Sequence, residues 1–444
     1  MPVSEHFFEA LFGFPETDYV TTRDRLVNQC VFEVVRAAAA APLGGRLRVV
    51  KERALFHHPH IAGGRLVSSG WHSTPSVAEL RAETATAVRT FEQRHPGLLA
   101  TAVATSAGVT APSAMSPVSC AHVTGEASEL HRRHPHGLFQ AASQFNLLEF
   151  ISPDVTPEHG VRHYVHDHTQ GPACALACMG GTAYRNYLLH PDMVDISTTA
   201  YDADDVATTS RGQRSDHQVN VLEDVTEYLT CARGGVPALP RTHFFSIRNG
   251  YFFRGQGVGS LPDRLRCIAE AEGSSTQAVA EALLSRLRIG VVEDATVTLP
   301  LHDRSAAAAE VATHDVTQTF NSALSLPVKA VCTPREWDGI TSLSTILLSG
   351  TYEATLLVGV QHTLRHLERQ ATAARTSPPS LPPIFLTKVG GGVFNNEEVW
   401  IASGIASAAQ RVAALGVPLD VRLVHFGRVE PFYTAYFPSW PVLS

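Results

Sequence analysis

The chain has 444 residues, a formal net charge of −7 and a pI near 6.3, with 44% hydrophobic and 17% charged side chains. This composition supports a sizeable core, excludes wholesale disorder, and argues against a general nucleic-acid or anionic-membrane binder, so an anionic ligand needs a local donor set. Seven scattered cysteines read as reduced thiols, and with no apolar run of spanning length and no signal-peptide pattern they predict an intracellular, cytoplasmic protein.

In chain order, apolar positions at Leu26, Cys30, Val31, Val34 and Val35 predict a helix over 26–41, closed by Pro42-Leu43-Gly44-Gly45. A second helix is expected over Val77–Arg94, opened by the capping-box pair Ser76 and Glu79 and stopped by His95-Pro96-Gly97. Residues 100–117 read as a strand and loop. Gly137–Phe150 reads as a strand through Leu138 and Phe139 that turns at Ser143–Asn146, and Pro172 suits the first turn of a helix. The acidic, Ser/Thr-rich stretch Asp192–His217 is the expected exposed insertion. After a helix over 219–231, Asn249-Gly250 between two aromatic runs signals a tight hairpin. Helices over 263–272 and 275–287 precede a strand over 289–299, and a further strand is expected over 320–331. A helix with Tyr352, Leu356, Val360, Leu364 and Leu367 on one face then fills 352–370. The chain closes with a strand over 384–389, a glycine loop, a helix ending before Gly416, and a strand over 419–426. Alternating strands and helices predict an α/β layered fold.

The glycine loop has the best-defined chemistry. Gly390, Gly391 and Gly392 remove side chains where the backbone turns, Asn395 and Asn396 suit a helix start, and Ile401, Ile405, Ala408, Val412 and Leu415 line the helix. Strand, glycine loop and helix N-terminus point unpaired N–H groups at an anion. The same glycines also serve a tight turn, and Glu397 and Glu398 favour that plainer reading.

Other clusters have two readings each. Cys174 in the first turn of a helix would have a lowered thiol pKa and act as a nucleophile, with Gln170 as an oxyanion donor; equally, Cys174 and Cys178 are small core residues. His57, His58 and His60, His131, His134 and His136, and His159, His163, His166 and His168 invite a zinc site, but without an HExxH or CxxC pattern they read as surface histidines, and no metal is assigned. Arg185 and Asn186 either reach a phosphate or close their helix. Phe145, Tyr184 and Phe394 are candidates for an aromatic ligand wall.

Tyr352-Glu353-Ala354-Thr355-Leu356, Ile384–Val389, Gly392-Val393-Phe394-Asn395, Ile401–Leu415 and Leu419–Phe426, in that order, resemble the macrodomain family, which binds ADP-ribose and in some members hydrolyses its derivatives. FQAASQFNLL is similar to that family's strand-then-asparagine loop, and TQGPACALA to its second phosphate loop. The resemblance implies a three-layer αβα mixed sheet over 101–444, with an insertion at about 190–300 and a mainly helical extension over 1–100. It implies that ADP-ribose or a related nucleotide diphosphate is bound by Gly390, Gly391, Gly392, Val393, Phe394, Asn395, Gly171 and Cys174, with Asn146 on the distal ribose. Glu149 and Asp167 are the carboxylates for hydrolysis, and no cofactor is implied. Poly(ADP-ribose) glycohydrolases have a triple glycine with a Gln-Glu-Glu motif; Glu397-Glu398 stand elsewhere and are not assigned that role. Two alternatives are a cysteine-dependent hydrolase or transferase using Cys174, and a non-enzymatic interaction protein with the acidic insertion as its contact surface.

Overall fold

The computed structural model describes residues 7–38, 47–57, 66–106, 116–167, 169–191, 211–298, 314–372 and 380–443. Among them run thirteen strands: β1 (Cys30–Ala38), β2 (Leu47–His57), β3 (Leu66–Ser68), β4 (Trp71–Ser73), β5 (Val118–Thr124), β6 (Leu138–Ala142), β7 (Phe245–Arg248), β8 (Tyr251–Arg254), β9 (Gly290–Thr296), β10 (Asp315–Asn321), β11 (Pro383–Leu386), β12 (Leu419–His425) and β13 (Val442–Leu443). The chain is a mixed α/β protein of two compact units, each built from three separate stretches. The first hundred residues contribute to both units and contain four strands besides their helices.

The first unit takes Met1–Thr74, Glu126–Val221 and Gly290–Phe320. Its strands run in the order β1-β2-β4-β9-β10-β6, with β3 beside β2, and the pairings from β1 to β10 are antiparallel. The helix expected over 26–41 is corrected here: a helix opened by the Asp18 cap ends at Asn28, and β1 begins at Cys30. Val31, Phe32, Val34 and Val35 are β-branched or aromatic, and pairing with β2 from Cys30↔Phe56 onward overrides the helical spacing. Of the expected insertion, 192–210 lie outside the described residues, while Arg211 and Gln213 at its end are buried rather than exposed. Arg211 pairs with the fully buried Glu52 (Nη1–Oε1 2.6 Å), which also accepts from the Tyr184 hydroxyl.

The second unit takes Pro75–Gly125, Leu222–Ile289 and Asn321–Ser444. β11-β12-β5-β13 form its parallel sheet, and β7-β8 a separate hairpin whose turn residues Asn249 and Gly250 have positive φ, as that dipeptide predicts. The capping box of Ser76 and Glu79 opens the helix Val77–Arg94. Residues 98–106 are helical instead of extended, since Ala and Leu favour helix there. The strand expected over 320–331 stops with β10 at Asn321, short of Pro327. The helix expected over 352–370 begins earlier and spans Pro334–Thr372. By length and composition it could cross a membrane, the one such helix among the described residues, but 83% of its apolar window is buried in protein. This stretch corrects the expectation that no apolar run reaches spanning length, and Glu353 lies within the helix. Inside the unit that carboxylate receives Arg81 in a bidentate pair (Nε–Oε1 2.6 Å, Nη2–Oε2 2.8 Å).

Candidate functional site

Among the described residues, each unit holds a cluster of the candidate side chains. In the first, β6 runs into a loop closed on itself by Gln144. The Gln144 side chain donates to the Phe150 carbonyl (2.8 Å) and accepts from the Phe150 N–H (3.0 Å), while its main chain bonds Leu147 and Leu148. The closure forces Leu147, a buried non-glycine residue, to φ +65°. Such a conformation is costly for a branched side chain and persists only where the surroundings fix it.

This loop delivers Glu149 into the interior. Its side chain is 1% exposed, and Oε2 lies 3.3 Å from Nη2 of Arg185, which is equally buried. Oε1 of Glu149 and Nη1 of Arg185 have no partner among the described residues. Arg185 and Asn186 sit on a π-helical turn, Tyr184–Leu188, an irregularity common at functional positions. Arg185 also donates to the Leu147 carbonyl (2.9 Å) and lies 3.5 Å from the centroid of the Phe320 ring. Burial pushes the Glu149 carboxyl up to about 7, outweighing Arg185 and the Tyr164 hydroxyl that favour the anion. A carboxyl held there exchanges its proton at neutral pH. Asp167 is half-buried, accepts from the Thr169 N–H (2.8 Å), and adds a small repulsion to Glu149.

The remaining predicted residues of this unit are built into its packing. Asn146 is buried, donating to Gln218 (3.0 Å) and accepting from the Leu148 N–H (3.2 Å). Gly171 lies against the Ala142 carbonyl, which a Cβ there would overlap. Of the two readings of Cys174 the small core residue holds, as it does for Cys178: the Cys174 thiol is buried and pushed up to about 12, because desolvation exceeds any dipole of its eight-residue helix Gln170–Ala177. Tyr184 is fully buried against His72, and Phe145 is buried as well, so neither offers a wall to a ligand. His58, His60 and His168 lie outside the described residues; among the described ones, no three His, Cys, Asp or Glu side chains are grouped to hold a metal.

In the second unit the turn after β11 is held from beneath. The Tyr352 hydroxyl donates to the Thr387 carbonyl (2.9 Å) and accepts from the Val389 N–H (3.0 Å). Lys388 pairs with Glu430. Gly390 has φ +75°, and a Cβ there would stand 2.5 Å from Ala323. Asn396 differs from the helix cap expected of it: the cap position is Glu397, which makes no side-chain cap bond. The buried Asn396 amide instead donates to the carbonyls of Leu324, Phe394 and Gly390 (2.8–3.3 Å) and pins the turn. Asn395 takes φ +55°.

The amides of this turn divide into two groups. Gly391 donates to Lys388, Asn395 to Gly392 and Asn396 to Gly390, each at 3.0 Å. Gly392, Val393 and Phe394 donate to no acceptor among the described residues, and the turn that carries them is open, with Val393 75% exposed. Phe394 packs edge-on against Tyr251 (centroids 5.5 Å), a neighbour on β8 that no sequence signal marked. Tyr164 and Tyr251 carry no sequence signal for these contacts, and Tyr352, marked only as a helix-face residue and the start of the family-like run, carries none for holding the turn, since each acts outside its own element.

These features define an α/β protein with a buried acid–guanidinium pair in one unit and a glycine-rich amide turn in the other. No protein-family model and no curated protein matches the chain. Among solved structures it is similar to poly(ADP-ribose) glycohydrolase from Deinococcus radiodurans, crystallised with ADP-ribose. That similarity has 10% sequence identity and a TM-score of 0.34, and covers 83% of this chain and 94% of the other.

Proposed function

We propose that the chain binds ADP-ribose or a related nucleotide diphosphate, with the turn Gly390–Asn395 as the diphosphate cradle. One observation carries this reading: three consecutive amides, Gly392, Val393 and Phe394, lie on an exposed, pinned turn with no acceptor among the described residues. Successive N–H groups in a turn make a concavity suited to an anion, and the start of the helix Glu398–Ala413 adds its dipole. The order of elements around the turn, noted above as macrodomain-like, supplies the nucleotide. Phe394 with Tyr251 is the aromatic surface we assign to the base.

Glu149 belongs to the first unit and its side chain is 1% exposed, so the binding reading assigns it no contact with the ligand. Calorimetric titration with ADP-ribose, with AMP and NAD as controls, tests the binding step. Micromolar binding selective for ADP-ribose is expected. The absence of heat with all three would remove the reading.

A further inference from the structure

Behind the glycine turn, within the second unit, lies a chain of polar groups that binding does not use. His425 ends β12 and His122 lies on β5; both side chains are buried, with His122 Nδ1 3.0 Å from His425 Nε2. The Glu430 N–H points at His425 Nδ1 (3.3 Å). That contact fixes the tautomers. Nδ1 of His425 is the acceptor, so a neutral His425 carries its proton on Nε2 and donates it to His122 Nδ1. His122 therefore holds its own proton on Nε2, a buried atom, and the Phe437 main chain is the neighbour that favours a proton on this ring.

Such an arrangement has no place for another proton. A proton on His425 Nδ1 opposes the Glu430 N–H, and a proton on His122 Nδ1 opposes His425 Nε2–H. The groups around the pair determine the consequence. The Glu430 carboxylate pairs through Oε1 with Lys388 and holds Oε2 3.9 Å from His425 Nδ1. Lys388 is the root of the glycine turn, since its carbonyl accepts from Gly391. Tyr433 stands beside both, its ring 5.8 Å from that of His425 and under the Lys388 ammonium, and Tyr352 and Glu398 are the further ionisable groups that act on Tyr433. On the other side, the His122 ring meets Phe437 and Trp440, which stack on each other at 3.9 Å, and the His122 N–H holds the Pro441 carbonyl (2.8 Å) where β13 joins β5.

We infer that His122, His425, Glu430 and Lys388 form a proton-operated latch on the glycine turn. An extra proton on His425 draws the Glu430 carboxylate from Lys388 to the new imidazolium, and the turn and the segment Glu430–Leu443 loosen together. The direction of the pH response follows from burial. Desolvation, then Lys388, lowers His425 from 6.5 to about 4. The folded state thus prefers the neutral ring, and the latch is closed above the unfolded value and opens as pH falls from 6.5 toward about 4.

Two measurements test this. In ¹⁵N-histidine-labelled protein at neutral pH, both rings should show the Nε2–H tautomer; an Nδ1–H tautomer at His425, or its ordinary titration near 6.5, would overturn the inference and needs no variant. Amide exchange of the 388–397 peptide, corrected for intrinsic rate, should rise about threefold or more between neutral pH and about pH 4 in the wild type and stay flat in His425→Gln. An equal rise in both proteins would also refute the latch. Neither readout uses a nucleotide, so the latch can fail while the binding proposal stands, and the reverse.

Discussion

Replacing Gly392 with glutamate isolates the amide turn from everything else in the chain. A Cβ at Gly392 meets nothing within 4 Å, and its φ lies outside the left-handed region, so the side chain should add no strain. Gly390 is unsuitable for this test, because its φ of +75° and the Ala323 contact would unfold the turn outright. The new carboxylate stands on one of the three open amides. A charge about 5 Å from one phosphate charge costs about 0.8 kcal/mol in water and about 3.3 kcal/mol at an effective dielectric of about 20. The expected loss of affinity is therefore about 4-fold to about 200-fold, smaller at high salt. Folding stability should change by less than about 0.5 kcal/mol, as for an exposed surface substitution. Calorimetry with ADP-ribose and a thermal melt, run on the same samples, read the two quantities separately. Wild-type affinity in a variant with an unchanged melt would refute the cradle.

Further outcomes follow from the first unit. Because burial raises the folded carboxyl of Glu149 from 4.5 to about 7, its protonated form is the stable one; about 3 kcal/mol should be present below about pH 4.5 and lost as pH rises through about 7. Urea melts should show that slope in the wild type and lose it in Glu149→Gln, and an unchanged slope would contradict the assignment. Gly171→Ala drives a methyl into the Ala142 carbonyl and should cost about 3 kcal/mol or more, seen as lost soluble yield or a lowered melt. Iodoacetamide on native protein should label the exposed Cys231 and Cys267 well before the buried Cys174, as read by peptide mass spectrometry. Fast labelling of Cys174 would restore the thiol mechanism.

What the sequence disclosed was what short segments decide for themselves. Ser76 and Glu79 cap a helix through bonds made within four residues, and Asn249-Gly250 turns a hairpin through its own dihedrals. The strand–glycine–helix unit after Pro383 is local in the same sense, so its three glycines were legible before any contact was known. Spacing failed where two periods compete. Cys30–Val35 satisfies a helical pattern, yet its β-branched residues and the eleven-residue partner β2 settle it as a strand, and no local signal reports the partner.

The site shows the same division more sharply. Glu149 is marked in the sequence only through a family resemblance, and its behaviour depends on Tyr164, Arg185 and Phe320, brought to it from three other stretches. Cys174 reverses the case. Both of its readings, an activated thiol and a small core residue, were legible, and it is the packing of Gly171–Ala177 on nearly all sides that selects the second. Whether a group is charged depends on its desolvation, and desolvation is a property of the whole unit. The glycine turn differs in degree: three of its amides have no acceptor among the described residues and Val393 is 75% exposed, so burial decides less there, although Tyr352 and the Leu324 carbonyl still hold the turn from other stretches.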